Sequence, residues 1–277
     1  MALNMYNVLF IGKGTITISL SKSLDPDKWR IDHHSRTGEH LDTFNLADYD
    51  YVVSCLPDAE TATNMWTDIF LSALNSKADR TVFIDISTLK YEAIKKINDD
   101  FCRENLTFIE APFTGSKRGA LKGSLIYFAA SDTTPPENDA FLKSTSSKIY
   151  TFNSIGAPTR FKLFYNLWGL TSLGVLGQML QIMNTLPQAD LVSEIITSNE
   201  DFWMSAIARQ KLDQSLSRNY EDIHCKLKYA KKDIKYAMEE FSDHRLELSD
   251  CLLSILENHQ LQPYDELDFT SMREFFR

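Results

Sequence analysis

The sequence predicts an α/β fold in which a doubly wound parallel sheet is followed by an all-helical domain, with a long helix leading from one to the other. Three observations predict it. Short apolar runs alternate with helical patterns over residues 1–156, which is typical of stacked β-α-β units. A glycine-rich turn follows the first apolar run, and residues 157–277 are helical in pattern almost throughout. We therefore predict two domains, 1–156 and 157–277.

The elements of each domain follow from the length and spacing of the apolar runs. Strands are predicted where short runs are rich in β-branched or aromatic residues, at 6–11, 29–34, 50–55, 81–86, 107–110 and 125–130. Helices are predicted between them where longer amphipathic stretches occur, at 15–24, 59–75, 89–104 and 136–146. The second domain is predicted to contain helices at 158–184, 189–215, 219–241 and 243–259 and a short tail at 263–277.

Charge and composition exclude several function classes. A formal net charge of -9 over 277 residues gives no support to binding of nucleic acid or of an anionic membrane surface. The uncharged stretch 163–189 is long enough to cross a membrane as a helix. It contains buried-type amides such as Asn166 and Gln178, which favour a helix inside a soluble protein.

The cysteines and the amino terminus indicate a cytoplasmic protein. Cys55, Cys102, Cys225 and Cys251 lie far apart in the sequence, without the spacing of a zinc site. They predict reduced thiols and no metal. The first residues, MALNMYNVLFIGKG, lack the basic and long apolar regions of a signal peptide.

The glycine-rich turn predicts a dinucleotide-binding site. Gly12, Lys13, Gly14, Thr15 and Ile16 follow a strand and open a helix, the context in which such a turn holds a pyrophosphate. The first glycine permits the tight turn, and the second lets the backbone approach the phosphates at the helix amino terminus. The third glycine of the motif is replaced by Thr17, whose side chain threatens to crowd the helix against the sheet. An ordinary β-α turn is the alternative.

The end of the second strand favours NADP over NAD. Many NAD enzymes place a carboxylate there to bind the ribose hydroxyls. Here the residues are Ser35, Arg36 and Thr37, and an arginine can pair with a 2′-phosphate. The alternative is that Arg36 is a solvated loop residue.

At these residues the chain resembles the β-hydroxyacid dehydrogenase family. That family includes enzymes of 3-hydroxyisobutyrate, 6-phosphogluconate, tartronate semialdehyde and glyoxylate or succinic semialdehyde, and imine reductases are its relatives. The resemblance is carried, in order along the chain, by VLFIGKG at 8–14, SRT at 35–37, CLP at 55–57, DIST at 85–88, EAPFTGSKRGALKGSL at 110–125, GAPTRFKLFYN at 156–166 and AKKDIKYA at 230–237. It implies a Rossmann-type domain followed by the helical domain.

The resemblance also implies roles for individual residues. Thr114, Gly115 and Ser116 would line the substrate pocket in place of the usual Ser-Gly-Gly. Lys162 would be the catalytic acid/base, and Asn166 would hydrogen-bond the substrate. Four more residues would lie against the cofactor: Leu56, Pro57, Thr88 and Lys232.

The chemistry asked of Lys162 agrees with its position. Hydride transfer to a carbonyl leaves negative charge on oxygen, which a lysine can stabilise and protonate. Lys162 is the single charge between Arg160 and Asp190, and desolvation would lower its pKa toward a useful value. Asn166 lies one helical turn later on the same face. The alternative is a lysine that extends its charged end to water near a helix start, with Asn166 as a buried amide.

Two departures from the family concern the substrate. Lys117 and Arg118 stand where relatives carry small or apolar residues, and they would attract a substrate carboxylate or would form a solvated loop face. Pro158 replaces a glycine before the long helix, where proline is tolerated in the first turn.

The leading hypothesis is therefore an NADP-dependent oxidoreductase of a small β-hydroxy acid or semialdehyde. One alternative is an imine reductase, against which Lys162 argues, because imine-reducing relatives often carry another residue there. The other is a non-catalytic NADP(H)-binding protein. The long apolar helix predicts a homodimer.

Overall fold

A computed structural model of the protein describes residues 5–35, 38, 40–183, 185–198, 205–257 and 259–276. The chain divides into two compact units, Met1–Lys162 and Leu163–Arg277. The predicted fold class is confirmed, since a parallel sheet with helices on the amino-terminal unit is followed by a helical unit.

The first unit is built on a five-stranded parallel sheet in the order β2-β1-β3-β4-β5. Its strands are β1 Tyr6–Ile11, β2 Trp29–His34, β3 Tyr51–Ser54, β4 Val82–Asp85 and β5 Thr107–Glu110. The crossover helices are α1 Thr15–Ser23, α2 Ala59–Ser76 and α3 Tyr91–Arg103. Short 3-10 turns at Leu41–Thr43 and Leu46–Asp48 lie between β2 and β3.

Both faces of this sheet are buried around its inner strands, which explains why β1, β3 and β4 are mostly apolar, whereas β2 at the edge has the mixed sequence WRIDHH. Leu9 and Ile11 of β1 point into a cluster with Trp66, whereas Val8 and Phe10 point to the opposite side. Successive side chains of a strand point to opposite faces, so one strand supplies both cores.

A second, three-stranded sheet in the order β6-β7-β8 completes the first unit. Its elements are β6 Phe113–Thr114, α4 Ser116–Leu121, β7 Leu125–Ala129, a 3-10 turn at Pro136–Asn138, α5 Ala140–Thr145 and β8 Ser146–Thr151. β6 is antiparallel to β7, and β8 is parallel to it.

At this second sheet the sequence-based prediction is confirmed only in part, since the strand predicted at 125–130 is present as β7. The strand predicted at 125–130 does not join the parallel sheet, and the helix predicted at 136–146 is a 3-10 turn followed by α5 alone. β8 was missed because its SSKIYT sequence is mostly exposed and lacks the apolar alternation of a strand. It pairs with β7 only, so tertiary pairing decides its structure.

The second unit consists of helices and two 3-10 segments. Its long helix α6, Ala157–Met183, begins in the first unit. It is followed by α7 Ala189–Ser198, α8 Ser205–Ser217, α9 Leu227–Glu240, α10 Glu247–Leu256 and 3-10 segments at His259–Glu266 and Phe269–Phe276. The core lies among α6, α9, α10 and the last segment, around Leu167, Ile234, Leu252 and Met272.

Two helix boundaries in this unit differ from the prediction. The helix predicted at 189–215 is two helices, α7 and α8, and the residues between them lie outside the described part. The helix predicted at 219–241 begins only at Leu227, because Asp268 accepts hydrogen bonds from the backbone N–H groups of His224 and Cys225. A distant carboxylate therefore holds this segment in an extended bridge instead of a helical turn.

In the described part of the chain, no helix has the length and the apolar character that crossing a membrane requires. The four cysteines are free thiols.

Candidate functional site

The glycine turn has the geometry that its motif predicts. Gly12 adopts a φ of +98°, and a Cβ on it would lie 3.1 Å from the carbonyl oxygen of Cys55. Only glycine fits this position without strain. The structure thus brings the turn against the 55–57 segment, which was a separate part of the predicted site.

The residues around this turn fit a pyrophosphate. Gly14 is the N-cap of α1 and carries no side-chain cap, and a Cβ on it would meet nothing within 4 Å. The amino terminus of α1 is therefore open to an anion, which its N–H groups and dipole would stabilise. Lys13 and Thr15 are exposed beside it, and Ile16 is half-buried.

Thr17 strengthens the turn instead of disrupting it. Its side chain is fully buried, and its hydroxyl donates to the carbonyl oxygens of Gly12 at 2.9 Å and of Gly14 at 3.1 Å. The crowding expected from the missing third glycine is accommodated, because the hydroxyl finds acceptors in the turn itself.

Alanine substitutions at the two glycines are expected to separate folding from cofactor binding. Gly12→Ala forces a left-handed backbone on a residue with a Cβ, so we expect a loss of about 1–2 kcal/mol in unfolding free energy together with weaker NADPH binding. Gly14→Ala has an ordinary φ of -86° and free space around it. It should keep the melting temperature of the unchanged protein but weaken NADPH binding, because the methyl group occupies the phosphate approach. Thermal melts and fluorescence titration with NADPH measure the two effects, and normal affinity in both variants would contradict this site.

The ribose end of the cofactor is predicted to lie beside the end of β2. A cavity of about 980 Å³ there is lined by residues of the loop after β2 and of α2, including His34, Ser35, His40 and Met65. Burial lowers the pKa of His34, with a further contribution from His40, so His34 is neutral at physiological pH. The predicted phosphate ligands Arg36 and Thr37 lie outside the described residues.

The loops after β3 and β4 are joined by the hydroxyl of Ser87, which a buried carboxylate holds in place. The backbone N–H of Leu56 donates to the hydroxyl of Ser87 at 2.9 Å. The carboxylate of Asp85 accepts from the backbone N–H of Ser87 at 2.8 Å and from the indole N–H of Trp66 at 2.6 Å. The hydrogen bond from Leu56 to Ser87 thus joins two segments of the predicted cofactor site, 55–57 and 85–88. These segments contain the predicted contacts Leu56, Pro57 and Thr88.

Burial raises the pKa of Asp85, whereas the hydrogen bonds from Trp66 and Ser87 oppose this rise. Burying the charged form of Asp85 therefore costs free energy, which the hydrogen bonds from Trp66 and Ser87 partly offset.

The predicted substrate segment forms a strand, a turn and a short helix. Thr114 lies on β6, opposite Ile126 of β7. Gly115 has a φ of +123°, and a Cβ on it would lie 3.1 Å from the Leu125 side chain. Ser116 opens α4, on which Lys117 is half-buried and Arg118 is exposed.

Lys162 is buried near the start of α6, with 7% of its surface exposed. The helix begins at Ala157. The carboxylate of Glu110 accepts hydrogen bonds from the backbone N–H groups of Gly156 at 2.6 Å and of Thr159 at 2.7 Å, at the start of this helix. Glu110 closes β5 and directly precedes the predicted substrate segment. A buried lysine is thus carried by a helix whose first turn is tied to that segment.

In the second unit, Asn166 and Lys232 are joined by Asp233. The side-chain amide of Asn166 donates to Asp233 at 2.7 Å, and the ammonium of Lys232 lies 3.0 Å from the other carboxylate oxygen. Burial lowers the pKa of Lys232, but the charge of Asp233 more than offsets it, so the pKa lies above its ordinary value. Because a carboxylate is an acceptor, the Asn166 nitrogen is directed at Asp233 and its carbonyl oxygen is left for another partner.

Several residues with structural roles were not singled out from the sequence: Glu110, Asp85, Ser87, Trp66 and Asp233. All except Trp66 lie within quoted motifs, EAPFTGSKRGALKGSL, DIST and AKKDIKYA. A charged residue at the end of an apolar strand was the available signal for Asp85 and Glu110. Nothing local marked Trp66. Among the described residues, no group of three His, Cys, Asp or Glu side chains is arranged to hold a metal ion.

Comparison with known proteins gives a family match for the first unit. The family model for the NAD binding domain of 6-phosphogluconate dehydrogenase matches residues 12–153. Comparison with curated proteins gives no match.

Solved structures share the fold over nearly the whole chain. A Mycobacterium tuberculosis 3-hydroxyisobutyrate dehydrogenase with L-serine has a TM-score of 0.78 at 16% identity and covers 99% of both chains. Psf3 in complex with NADP+ and 2-OPP has a TM-score of 0.82 at 18% identity, covering 97% of this chain and 98% of its own. An imine reductase from Pseudomonas sp. has a TM-score of 0.57 at 13% identity, covering 99% of this chain and 100% of its own.

These identities establish likeness of fold, and the family model, which spans half of the chain, establishes kinship. With its glycine turn, its sheet edge and its helical second unit, the chain belongs to the β-hydroxyacid dehydrogenase family of NAD(P)-binding oxidoreductases.

Proposed function

We propose that this protein is an NADP-dependent oxidoreductase that transfers a hydride between the nicotinamide and a small β-hydroxy acid or semialdehyde. The observation that carries the proposal is the buried Lys162 on α6, in a chain with an NAD(P)-binding domain. A lysine withdrawn from water beside a substrate segment is suited to act as an acid and a base.

The cofactor would be held by the residues whose geometry fits it. Gly12, Lys13, Gly14, Thr15 and Ile16 would bind the pyrophosphate at the amino terminus of α1. Further contacts to the cofactor are proposed for Leu56, Pro57, Thr88 and Lys232. When bound, the cofactor supplies or accepts the hydride.

Preference for NADP is proposed from the residues that follow β2. Ser35, Arg36 and Thr37 offer hydroxyls and a guanidinium instead of the carboxylate that selects NAD in many Rossmann enzymes. His34 is held neutral by burial, so the positive charge for a 2′-phosphate would come from Arg36.

The protein's own residues would perform the proton chemistry. In the reductive direction, the Lys162 ammonium donates a hydrogen bond to the substrate oxygen, stabilises the charge that develops there and transfers its proton to it. In the oxidative direction the neutral amine takes the hydroxyl proton. Asn166, one turn later on α6, would hydrogen-bond the substrate, while Thr114, Gly115 and Ser116 would line its pocket. Lys117 and Arg118 would attract its carboxylate.

The test is a panel of carbonyl compounds with NADPH and with NADH. Glyoxylate, succinic semialdehyde, tartronate semialdehyde and a cyclic imine would each be mixed with the protein, and the absorbance of the reduced cofactor would be followed. We expect oxidation of NADPH with at least one semialdehyde and weaker activity with NADH. Turnover of the imine alone would favour an imine reductase, an enzyme class that is also found among the similar structures. Binding of NADPH without turnover of any compound would favour a non-catalytic cofactor-binding protein.

We further propose that the protein is a cytoplasmic homodimer. One face of α6 exposes large apolar side chains at helical spacing, among them Phe164, Trp168, Val175, Met179 and Ile182, with Trp168 68% exposed. Contiguous exposed apolar surface of this kind marks interaction sites in soluble proteins.

Charge placed on this face is expected to separate the proposed dimer. Trp168→Glu should lower the molar mass in solution by half, because a carboxylate cannot be buried unpaired between two apolar surfaces. Light scattering after gel filtration measures the mass. Leu248→Glu is the matched control, since Leu248 is 79% exposed on α10 instead of α6. An unchanged mass in Trp168→Glu would contradict this dimer surface, as would a monomeric unchanged protein.

A further inference from the structure

The first turn of α6 is capped by a residue far away in the sequence. The N–H groups at a helix start have no partner within the helix, and a side chain at the N-cap usually satisfies them. The N-cap here is Gly156, which has no side chain. A Cβ on it would lie 2.4 Å from the ring of Tyr91, and its φ of +90° also requires glycine. The cap must therefore come from elsewhere.

Glu110 supplies most of this cap, and the carbonyl of Ser154 completes it. Its two carboxylate oxygens accept from Gly156 and Thr159, while the N–H of Ala157 donates to the carbonyl of Ser154 at 3.2 Å. Pro158 has no N–H to satisfy, and the next donor, Arg160, bonds within the helix to Gly156 at 3.0 Å. Every backbone donor of the first turn thus has an acceptor.

Glu110 itself is held in place by its burial and by its backbone pairing. Its side chain is fully buried. On one side it pairs with Asp85 of β4. On the other side its backbone exchanges two hydrogen bonds with Ala130, of 3.0 and 2.9 Å. The carboxyl group is therefore fixed by the sheet, and in its ionised form its negative charge complements the positive end of the helix dipole.

We infer that Glu110 is a positioning residue for Lys162, which it aligns by holding the first turn of α6 against the end of β5. Lys162 follows Thr159 by three residues, so the two are neighbours on the helix surface. The residue after Glu110 begins the segment 111–116 that is proposed to hold the substrate. One side chain thus ties the proton donor to the substrate segment. This inference rests on the proposed function.

The geometry requires a glutamate. Aspartate is shorter by one methylene group and cannot reach both N–H groups from the same backbone position. Glutamine has the same length, but it presents one oxygen and one NH₂ group, so one of the two backbone donors would face another donor. Both substitutions remove one of the two hydrogen bonds while keeping a polar side chain of similar volume.

The test compares Glu110→Gln with the unchanged protein and with Asp139→Asn. Asp139 is the matched control because it caps another helix of the same unit, α5, by accepting from the N–H of Leu142 at 2.8 Å. The assay uses NADPH and the best semialdehyde of the panel. We expect kcat of Glu110→Gln to fall by about ten- to a hundred-fold, the cost of slightly misplaced reacting groups, with KM and NADPH affinity unchanged. The isotope effect with deuterated NADPH should rise, because the chemical step becomes slower than product release. Asp139→Asn should leave kcat, KM and the isotope effect unchanged.

Hydrogen exchange gives a measurement that needs no turnover. Peptides covering 156–162 should exchange faster in Glu110→Gln than in the unchanged protein, and at the normal rate in Asp139→Asn. If Glu110→Gln fails to fold, Glu110→Asp provides the same comparison with the charge retained.

The outcomes separate this inference from the proposed function. Normal kcat and isotope effect in Glu110→Gln, with activity lost in Lys162→Ala, would overturn the positioning role and leave the function standing. Normal activity in Lys162→Ala, or no turnover of any compound by the unchanged protein, would overturn the proposed function and this inference with it.

Discussion

Replacement of Lys162 with alanine is expected to lower kcat/KM by about a hundred- to ten-thousand-fold, the usual contribution of a positioned general acid. The lysine is buried on an apolar helix, and the other charged residue of α6 is Arg160, whose guanidinium does not release its proton. The rate of NADPH oxidation with the best semialdehyde of the panel measures the effect. Because the pyrophosphate turn is unchanged, NADPH affinity should be normal.

Lys235→Ala is the control for the loss of a lysine as such. Lys235 lies on α9, where its ammonium is 2.6 Å from the carboxylate of Glu257 at the surface. Its removal should leave kcat/KM unchanged, since pairs exposed to water contribute little. Full turnover by Lys162→Ala would exclude this residue as the acid/base.

The second large effect concerns the pH dependence of stability. Burial raises the pKa of Glu110 from its ordinary value of 4.5 to about 7, the hydrogen bonds from Thr159 and Gly156 oppose this rise, and the charge of Asp85 adds to it. Between these two pH values the carboxyl group is protonated in the folded protein and ionised in the unfolded chain. The folded state then binds more protons, so its stability falls as pH rises.

The resulting change in unfolding free energy is about 3 kcal/mol, at roughly 1.4 kcal/mol for each unit of pKa difference. The contribution is fully present below pH 4.5 and is lost as pH rises through about 7. Glu110→Gln has no proton to release, so its stability lacks this contribution. Urea unfolding of both proteins at several pH values measures the difference between them, which removes the effects of buried acids that do not interact with Glu110, such as Asp139.

A constant difference between the two proteins across this pH range would contradict the raised pKa. A difference that grows with pH in favour of the unchanged protein would mean that the two hydrogen bonds and the helix dipole outweigh burial. The titration of Glu110 and its role in positioning Lys162 are therefore tested by separate measurements.

The α/β fold and most of its elements could be predicted because local patterns encode them. The inner strands of the parallel sheet, β1, β3 and β4, are buried on both faces, so each is a mostly apolar run that is visible in the sequence. The glycine turn was equally visible, because its backbone conformation excludes other residues at Gly12. β8 could not be predicted, since an exposed strand that pairs on one side needs no apolar face.

The residues of the candidate site stay a prediction, whereas the side chains that hold them in place were not predicted from the sequence. Lys162 stood out as the single charge of a long apolar segment. Glu110 did not, because its partners Gly156 and Thr159 are 46 and 49 residues away. The same holds for Asp85 with Trp66 and for Asn166 with Asp233, which are 19 and 67 residues apart.

By itself, the sequence determined the order of the elements, the cofactor turn and the identity of the isolated lysine. These depend on backbone conformation and on the periodic exchange of apolar for polar residues, which are local properties of the chain. Only the tertiary structure decided what holds the lysine's helix in place. A hydrogen bond between residues far apart in the sequence leaves no periodic pattern in it. The glutamate of β5 that caps the first turn of α6 is therefore visible only in the folded chain.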